Sequence, residues 1–116
     1  MPFIKISEQP IKKYGPGISG QMFHVENNTF SQTKFQAGTI SPNHKHPMEE
    51  TIIIIEGEME FTIGKEAKTL SKGEVAIIPI NTMHVGKAIS DCTAIEIFNP
   101  RLTPEMMKRL GAPNMD

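Results

Sequence analysis

Apolar and polar residues alternate strictly in two stretches of the chain. In 58–63, Met59, Phe61 and Ile63 alternate with Glu58, Glu60 and Thr62; in 32–37, Thr33, Phe35 and Ala37 alternate with Gln32, Lys34 and Gln36. A period of two predicts strands with one buried and one wet face. Ile52–Ile55 does not alternate. Both of its faces need cover, from a barrel interior on one side and a second sheet or subunit on the other. Short runs rich in Ile, Thr, Phe and Val recur between glycines and prolines along the whole length. The runs predict strands at Phe3–Ile6, Gln21–Val25, Phe30–Ala37, Thr51–Glu56, Met59–Ile63, Ala67–Leu70, Val75–Ile78, His84–Ala88 and Thr93–Phe98. Such spacing reads as an all-β sandwich or barrel.

The tail changes period. Thr103 is placed to cap a helix, Pro104 opens it, Glu105 lies in the first turn, Lys108 and Arg109 lie in the last, and Gly111 follows as the closing glycine. A short helix is expected over Pro104–Leu110, packing through Met106, Met107 and Leu110, with fraying beyond it.

The length of 116 residues allows a single domain. Twelve Lys and Arg against 13 Asp and Glu give a net charge of -1, with no basic tract to serve as a nucleic-acid footprint. Cys92 is the single cysteine, so neither an internal disulfide nor a CxxC metal or redox pair is available. No apolar run approaches the ~20 residues of a membrane span, and the start MPFIKISEQPIKK lacks an uninterrupted apolar segment. A cytoplasmic location away from membranes is the expectation.

Three of the four histidines stand out by position. His44 and His46 are two apart, so on an extended chain both rings aim at one point. Glu50 follows at even spacing, and His84 would come from another strand. Three imidazoles and a carboxylate suit one divalent Zn, Mn, Fe, Ni or Co, with positions open for substrate. The plainer alternative leaves His44 and His46 as exposed loop residues beside Lys45, and His84 as a satisfied core histidine.

The residues framing this set resemble the cupin superfamily. Its first motif, G-x5-H-x-H-x3/4-E-x6-G, matches Gly38, His44, His46, Glu50 and Gly57. Its second, G-x5-P-x-G-x2-H-x3-N, matches Gly73, Pro79 and His84, while Asn81 replaces the middle glycine and Ala88 the final asparagine. Asn tolerates positive φ, so Asn81 can hold the same turn. The resemblance implies one cupin double-stranded β-helix, a jelly-roll barrel, over residues 1–116, with a metal on His44, His46, Glu50 and His84. Glu50 rather than Glu49 has the ligand spacing. Ile52 and Ile54 then continue the pocket face, and Ile53 and Ile55 point outward. His24 is left over, either lining the pocket or lying at the surface.

A weaker likeness concerns the last strand. Glu96-Ile97-Phe98-Asn99-Pro100-Arg101 resembles the D-x-F-S-P-P-R end of small cupins that convert unsaturated uronates into linear keto sugars in pectin and alginate breakdown. Glu stands for Asp, and one residue is missing before the arginine. The likeness implies Glu96 as acid/base, Phe98 against the sugar ring and Arg101 on the substrate carboxylate. The plainer readings put Glu96 on a solvated sheet face and Arg101 on the surface. Tautomerisation of a small hydroxylated acid leads, with a dioxygenase acting on an enediol or catechol and a non-catalytic ligand-binding module as alternatives. A homodimer is expected, because Ile52–Ile55 and the N-terminal FIKI segment both need cover.

Overall fold

A computed structural model describes residues 2–109. It contains a six-stranded antiparallel sheet in the order β1 (Ile11–Gly15), β2 (Ile18–His24), β3 (Thr29–Phe35), β9 (Cys92–Asn99), β4 (Glu49–Glu56) and β7 (Val75–Ile78). A three-stranded sheet, β6 (Glu66–Leu70), β5 (Met59–Ile63) and β8 (His84–Ala88), completes the jelly roll. Strands β5, β7 and β8 have the bounds expected from alternation and turn residues.

The N-terminus differs from expectation. Phe3–Ile6 is not a strand: Phe3 is 85% exposed, and Ile6–Glu8 forms a 3-10 turn. The chain first pairs at Ile11–Gly15, which carries Lys12 and Lys13 and lies at the sheet edge. Charge is a usual device of edge strands, and it hides this one from a search for apolar alternation. Ala37 is exposed, because β3 ends at Phe35.

Inward-facing residues of the two sheets form the core, in which Ile52, Ile54, Met59, Phe61 and Ile78 are all buried. Each such side chain contributes about 1.5–3 kcal/mol on burial. Ile52 and Ile54 point in as expected, whereas Ile53 is half-buried and Ile55 exposed. Pairing aligns Phe23, Phe30, Ile97, Thr51 and Ile77 in one row across the outer face of the large sheet. The described residues provide no second layer over that row's end, where Ile77 is 62% exposed.

Helix α1 (Pro104–Arg109) starts as read: the Thr103 hydroxyl accepts from the Met106 amide at 3.2 Å. Met107 packs with Met48, Phe98 and Leu102 in a second apolar cluster. Leu110 and Gly111 lie outside the described residues. Among those residues, no helix is long and apolar enough to cross a membrane.

Two backbone positions explain the motif residues. Gly57 has φ 85°, and a Cβ there would collide with the Asp91 backbone. Asn81 has φ 54° and donates its amide to the His46 carbonyl at 2.8 Å, so it makes the turn that the motif assigns to glycine.

Candidate metal centre

Backbone pairing brings the histidines together. His44 and His84 form an antiparallel bridge, with amide–carbonyl distances of 3.1 and 2.9 Å in the two directions. His46 precedes β4, Glu50 is its second residue, and His84 begins β8. The His44 ring centroid lies 4.3 Å from that of His84 and 5.4 Å from that of His46. One nitrogen of each ring lies within 4.8 Å of the others.

Each ring is aimed by a carbonyl two residues away. His44 Nδ1 donates to Pro42, His46 Nδ1 to Met48 at 2.9 Å, and His84 Nδ1 to Thr82 at 2.9 Å. A carbonyl only accepts, so the proton sits on Nδ1 and the Nε2 atoms are left for a ligand role. His46 Nε2 lies 3.0 Å and His84 Nε2 3.6 Å from Glu50 Oε1. His84 Nε2 is buried without a hydrogen-bond partner. Lone pairs that converge on a carboxylate need a shared cation, either a proton or a metal. The three-nitrogen, one-oxygen donor set and the orphaned Nε2 both fit a divalent transition metal, and the three histidines can hold one.

Glu96 adjoins this cluster. On the pairing ladder Ile52 faces Glu96 and Glu50 faces Phe98, so the two acids are diagonal neighbours on one face. Both are buried and hydrogen-bonded to each other. Burial pushes the Glu96 carboxyl well above its ordinary range, and the charge and hydrogen bond of Glu50 add to this. For Glu50, burial works in the same direction but is outweighed by the Glu96 carboxyl and by the His46 and His84 rings that face it, which hold it below the usual carboxylate range. The proton of the pair therefore resides on Glu96. Burial lowers His44; it acts the same way on His84, but there the Glu50 carboxylate and Thr82 carbonyl prevail and raise it.

The cluster opens into a cavity of about 130 Å³, room for a ring of benzene size. Phe35, Phe61, Phe98 and Leu102 supply much of its apolar wall. Of the residues singled out from sequence, His44, His46, Glu50, His84, Glu96 and Phe98 all line it, and Glu49 is exposed. Arg101 is not brought to the cavity: it is exposed, and its guanidinium donates to the Val25 carbonyl at 3.5 Å. Neither lysine nor arginine lines the cavity. His24 is an exposed residue whose Nδ1 lies 2.7 Å from the Thr29 hydroxyl. Burial and the nearby Arg101 charge lower its pKa.

Tyr14, Ser31 and Thr33 were not expected here. Tyr14 Oη lies 2.7 Å from Ser31 Oγ, which lies 2.8 Å from Thr33 Oγ1, and Thr33 hydrogen-bonds Glu96. The signal in the sequence is Thr29, Ser31 and Thr33 at strand spacing, a row of hydroxyls on the face that Phe35 buries.

The class is a small jelly-roll barrel with a cluster of three histidines in its mouth that could hold a metal. The cupin-domain family model matches residues 31–98, and the chain belongs to that family. It is similar to KdgF from Halomonas sp., at 25% identity and TM-score 0.83, covering 90% of this chain and 98% of that one. An RmlC-like cupin from Shewanella frigidimarina is 21% identical with TM-score 0.80, covering 86% and 91% of the two chains. Ectoine synthase from P. lautus is 20% identical with TM-score 0.83, covering 97% and 87%. The last two likenesses concern the fold. An uncharacterized protein of Streptomyces coelicolor is 25% identical over 81 residues, covering 69% of this chain and 77% of that one.

Proposed function

We propose that the chain binds one divalent transition metal through His44, His46, Glu50 and His84 and tautomerises a small hydroxylated acid of the unsaturated-uronate class. The observation that carries this reading is the buried Glu96, diagonal to Glu50 on the β4–β9 ladder, in the cavity of the three histidines. When bound, the metal would supply a Lewis acid to polarise a substrate oxygen. The chain's own residues do the rest. Glu96 moves a proton between an enol oxygen and the neighbouring carbon, so no atom is gained or lost and one residue serves both steps. Phe98 packs its ring, whose centroid is 6.1 Å from that of His46, against the substrate ring. The apolar wall excludes water from the reacting face.

The resemblance to the uronate cupins and the likeness to KdgF support this substrate class. Arg101 reaches a substrate carboxylate only by leaving the Val25 carbonyl, a weak tie at 3.5 Å. We also propose that two copies pair through the apolar outer face of the large sheet; a monomer in sedimentation would refute this.

The test begins with metal analysis of protein purified without added metal, followed by a screen of unsaturated uronates and enediols. Turnover of a uronate without oxygen uptake is expected. Oxygen uptake with an enediol would replace this reading with a dioxygenase. Binding without turnover of either class would indicate a ligand-binding module.

A further inference from the structure

The hydroxyls behind Glu96 have a fixed direction. Glu96 lies opposite Ser31 and diagonal to Thr33 on the β3–β9 ladder, and toward the Thr33 hydroxyl its carboxylate only accepts. The Thr33 hydroxyl therefore donates to Glu96 and must accept from Ser31. Ser31 in turn accepts from Tyr14. One proton per hydroxyl sets every link, from Tyr14 on β1 through Ser31 and Thr33 on β3 to Glu96 on β9.

The far end of this chain is built into the backbone. Tyr14 sits where the β1–β2 register skips from Lys13 to Gly15. Such irregularities re-aim a side chain. To reach Ser31 on β3, the phenol crosses β2 at Gly20. A Cβ on Gly20 would lie 2.5 Å from Tyr14 Oη and 2.7 Å from Ser31 Oγ. A mid-strand glycine often marks such close approach. Any larger residue at 20 would evict the phenol.

We propose that Tyr14, seated in the Gly20 notch, is a positioning residue that acts through Ser31 and Thr33 to hold the Glu96 carboxyl toward Glu50 and the cavity. This deepens the tautomerase reading and rests on it for its kinetic consequence. Thr33 contributes most, since it touches Glu96, and Tyr14 contributes by keeping the two hydroxyls from rotating away.

The test compares metal-loaded Thr33→Val, Thr33→Ser, Tyr14→Phe and Gly20→Ala with wild type on an unsaturated uronate. Losing a hydrogen bond to a carboxyl predicts a kcat about tenfold lower in Thr33→Val, with KM and metal content unchanged. Thr33→Ser should restore the rate. Tyr14→Phe and Gly20→Ala should share a smaller loss of about threefold in kcat. Wild-type kcat in both Thr33→Val and Tyr14→Phe would overturn the proposal, as would a loss that Thr33→Ser fails to rescue.

A second readout does not depend on turnover. Tyr14 is the only tyrosine and there is no tryptophan, so phenolate absorbance reports it alone. If the chain of hydroxyls is intact, Thr33→Val and Glu96→Gln each shift the pH at which that absorbance rises. Unchanged titration in both variants overturns the proposal even if the kinetics agree. A wild type inactive on all uronates defeats the tautomerase reading and leaves this absorbance result to decide the positioning role.

Discussion

The two sides of the cavity are held by different kinds of contact. Each histidine is aimed by a carbonyl two residues from it in sequence. Glu96 is aimed by side chains drawn from β1, β3 and β4. The histidine rings are thus oriented by short backbone turns, with the His44–His84 bridge bringing the turns together. The acid side depends on several strands keeping their register at once. The comparison teaches that the rings and the Glu96 carboxyl are oriented by different contacts, with Glu50 shared between the two sides.

The largest expected effect breaks the metal side. His84→Ala removes a proposed ligand and leaves Glu50 and His46 facing a gap. Metal affinity should fall at least 100-fold, the upper end of what loss of a mere supporting contact costs. Because bound metal stabilises the folded state by about 4 kcal/mol at 1,000 times its Kd, chelation should lower the wild-type Tm, and His84→Ala should no longer respond. Calorimetry with and without chelator, beside elemental analysis, checks both points. A variant that keeps its metal would remove His84 from the site.

Glu96→Gln tests the other side. It keeps the size and removes the transferable proton. A kcat lower by about 10²–10⁴-fold with full metal content is expected for loss of an acid/base group. Full metal with no turnover is the outcome that separates the two sides most cleanly. Undiminished turnover would strike Glu96 from the reaction.

This contrast also explains what was legible in the sequence. Of the candidate ligands, His44, His46 and Glu50 share a local parity, whereas His84 was picked out by the resemblance of Gly73, Pro79 and Asn81 to the second motif. Parity alone also put Ile52 and Ile54 on the inner face. Glu96 was visible only as an acid among apolar residues, since its partners come from other strands. Tyr14 was hidden, because β1 reads as two lysines beside a Gly-Pro-Gly turn and because Phe3–Ile6 is the more apolar run. Arg101 matched a motif by type. Its place at the surface follows from long-range packing of the chain between β9 and α1, on which local pattern is silent.

Alkaline pH offers a smaller effect confined to the acid side. Burial pushes Tyr14 up to about 12 from 10. The folded state therefore holds this proton more tightly than the unfolded state. Its contribution is fully present below pH 10 and is lost as pH rises toward 12, because the unfolded chain deprotonates first. The amount is about 3 kcal/mol at most, at ~1.4 kcal/mol per pH unit. Burial raises Cys92 to about 11, which adds a loss of the same sign. That loss is common to wild type and Tyr14→Phe and cancels between them. Urea melts at about pH 9 and pH 11.5 should show the wild type losing stability relative to Tyr14→Phe across the interval that linkage predicts. A constant difference would mean that the phenol titrates alike in both states.

The smallest effect returns to the metal side and asks how far its local character extends. Asn81 holds φ 54°, and its amide ties the turn to the His46 carbonyl at 2.8 Å. Alanine at 81 meets the left-handed penalty of about 1–2 kcal/mol, whereas glycine avoids it and loses only the side chain. Asn81→Ala should therefore lower stability by about 1 kcal/mol, and Asn81→Gly should stay within ~0.5 kcal/mol of wild type. If the metal side is held by backbone turns, the strain of Asn81→Ala should reach His46 and weaken metal binding severalfold, while kcat of the loaded protein stays the same. A metal affinity unchanged by alanine would mean that the turn is dispensable to the ligands, and that the Met48 carbonyl and the His44–His84 bridge alone suffice to aim the rings.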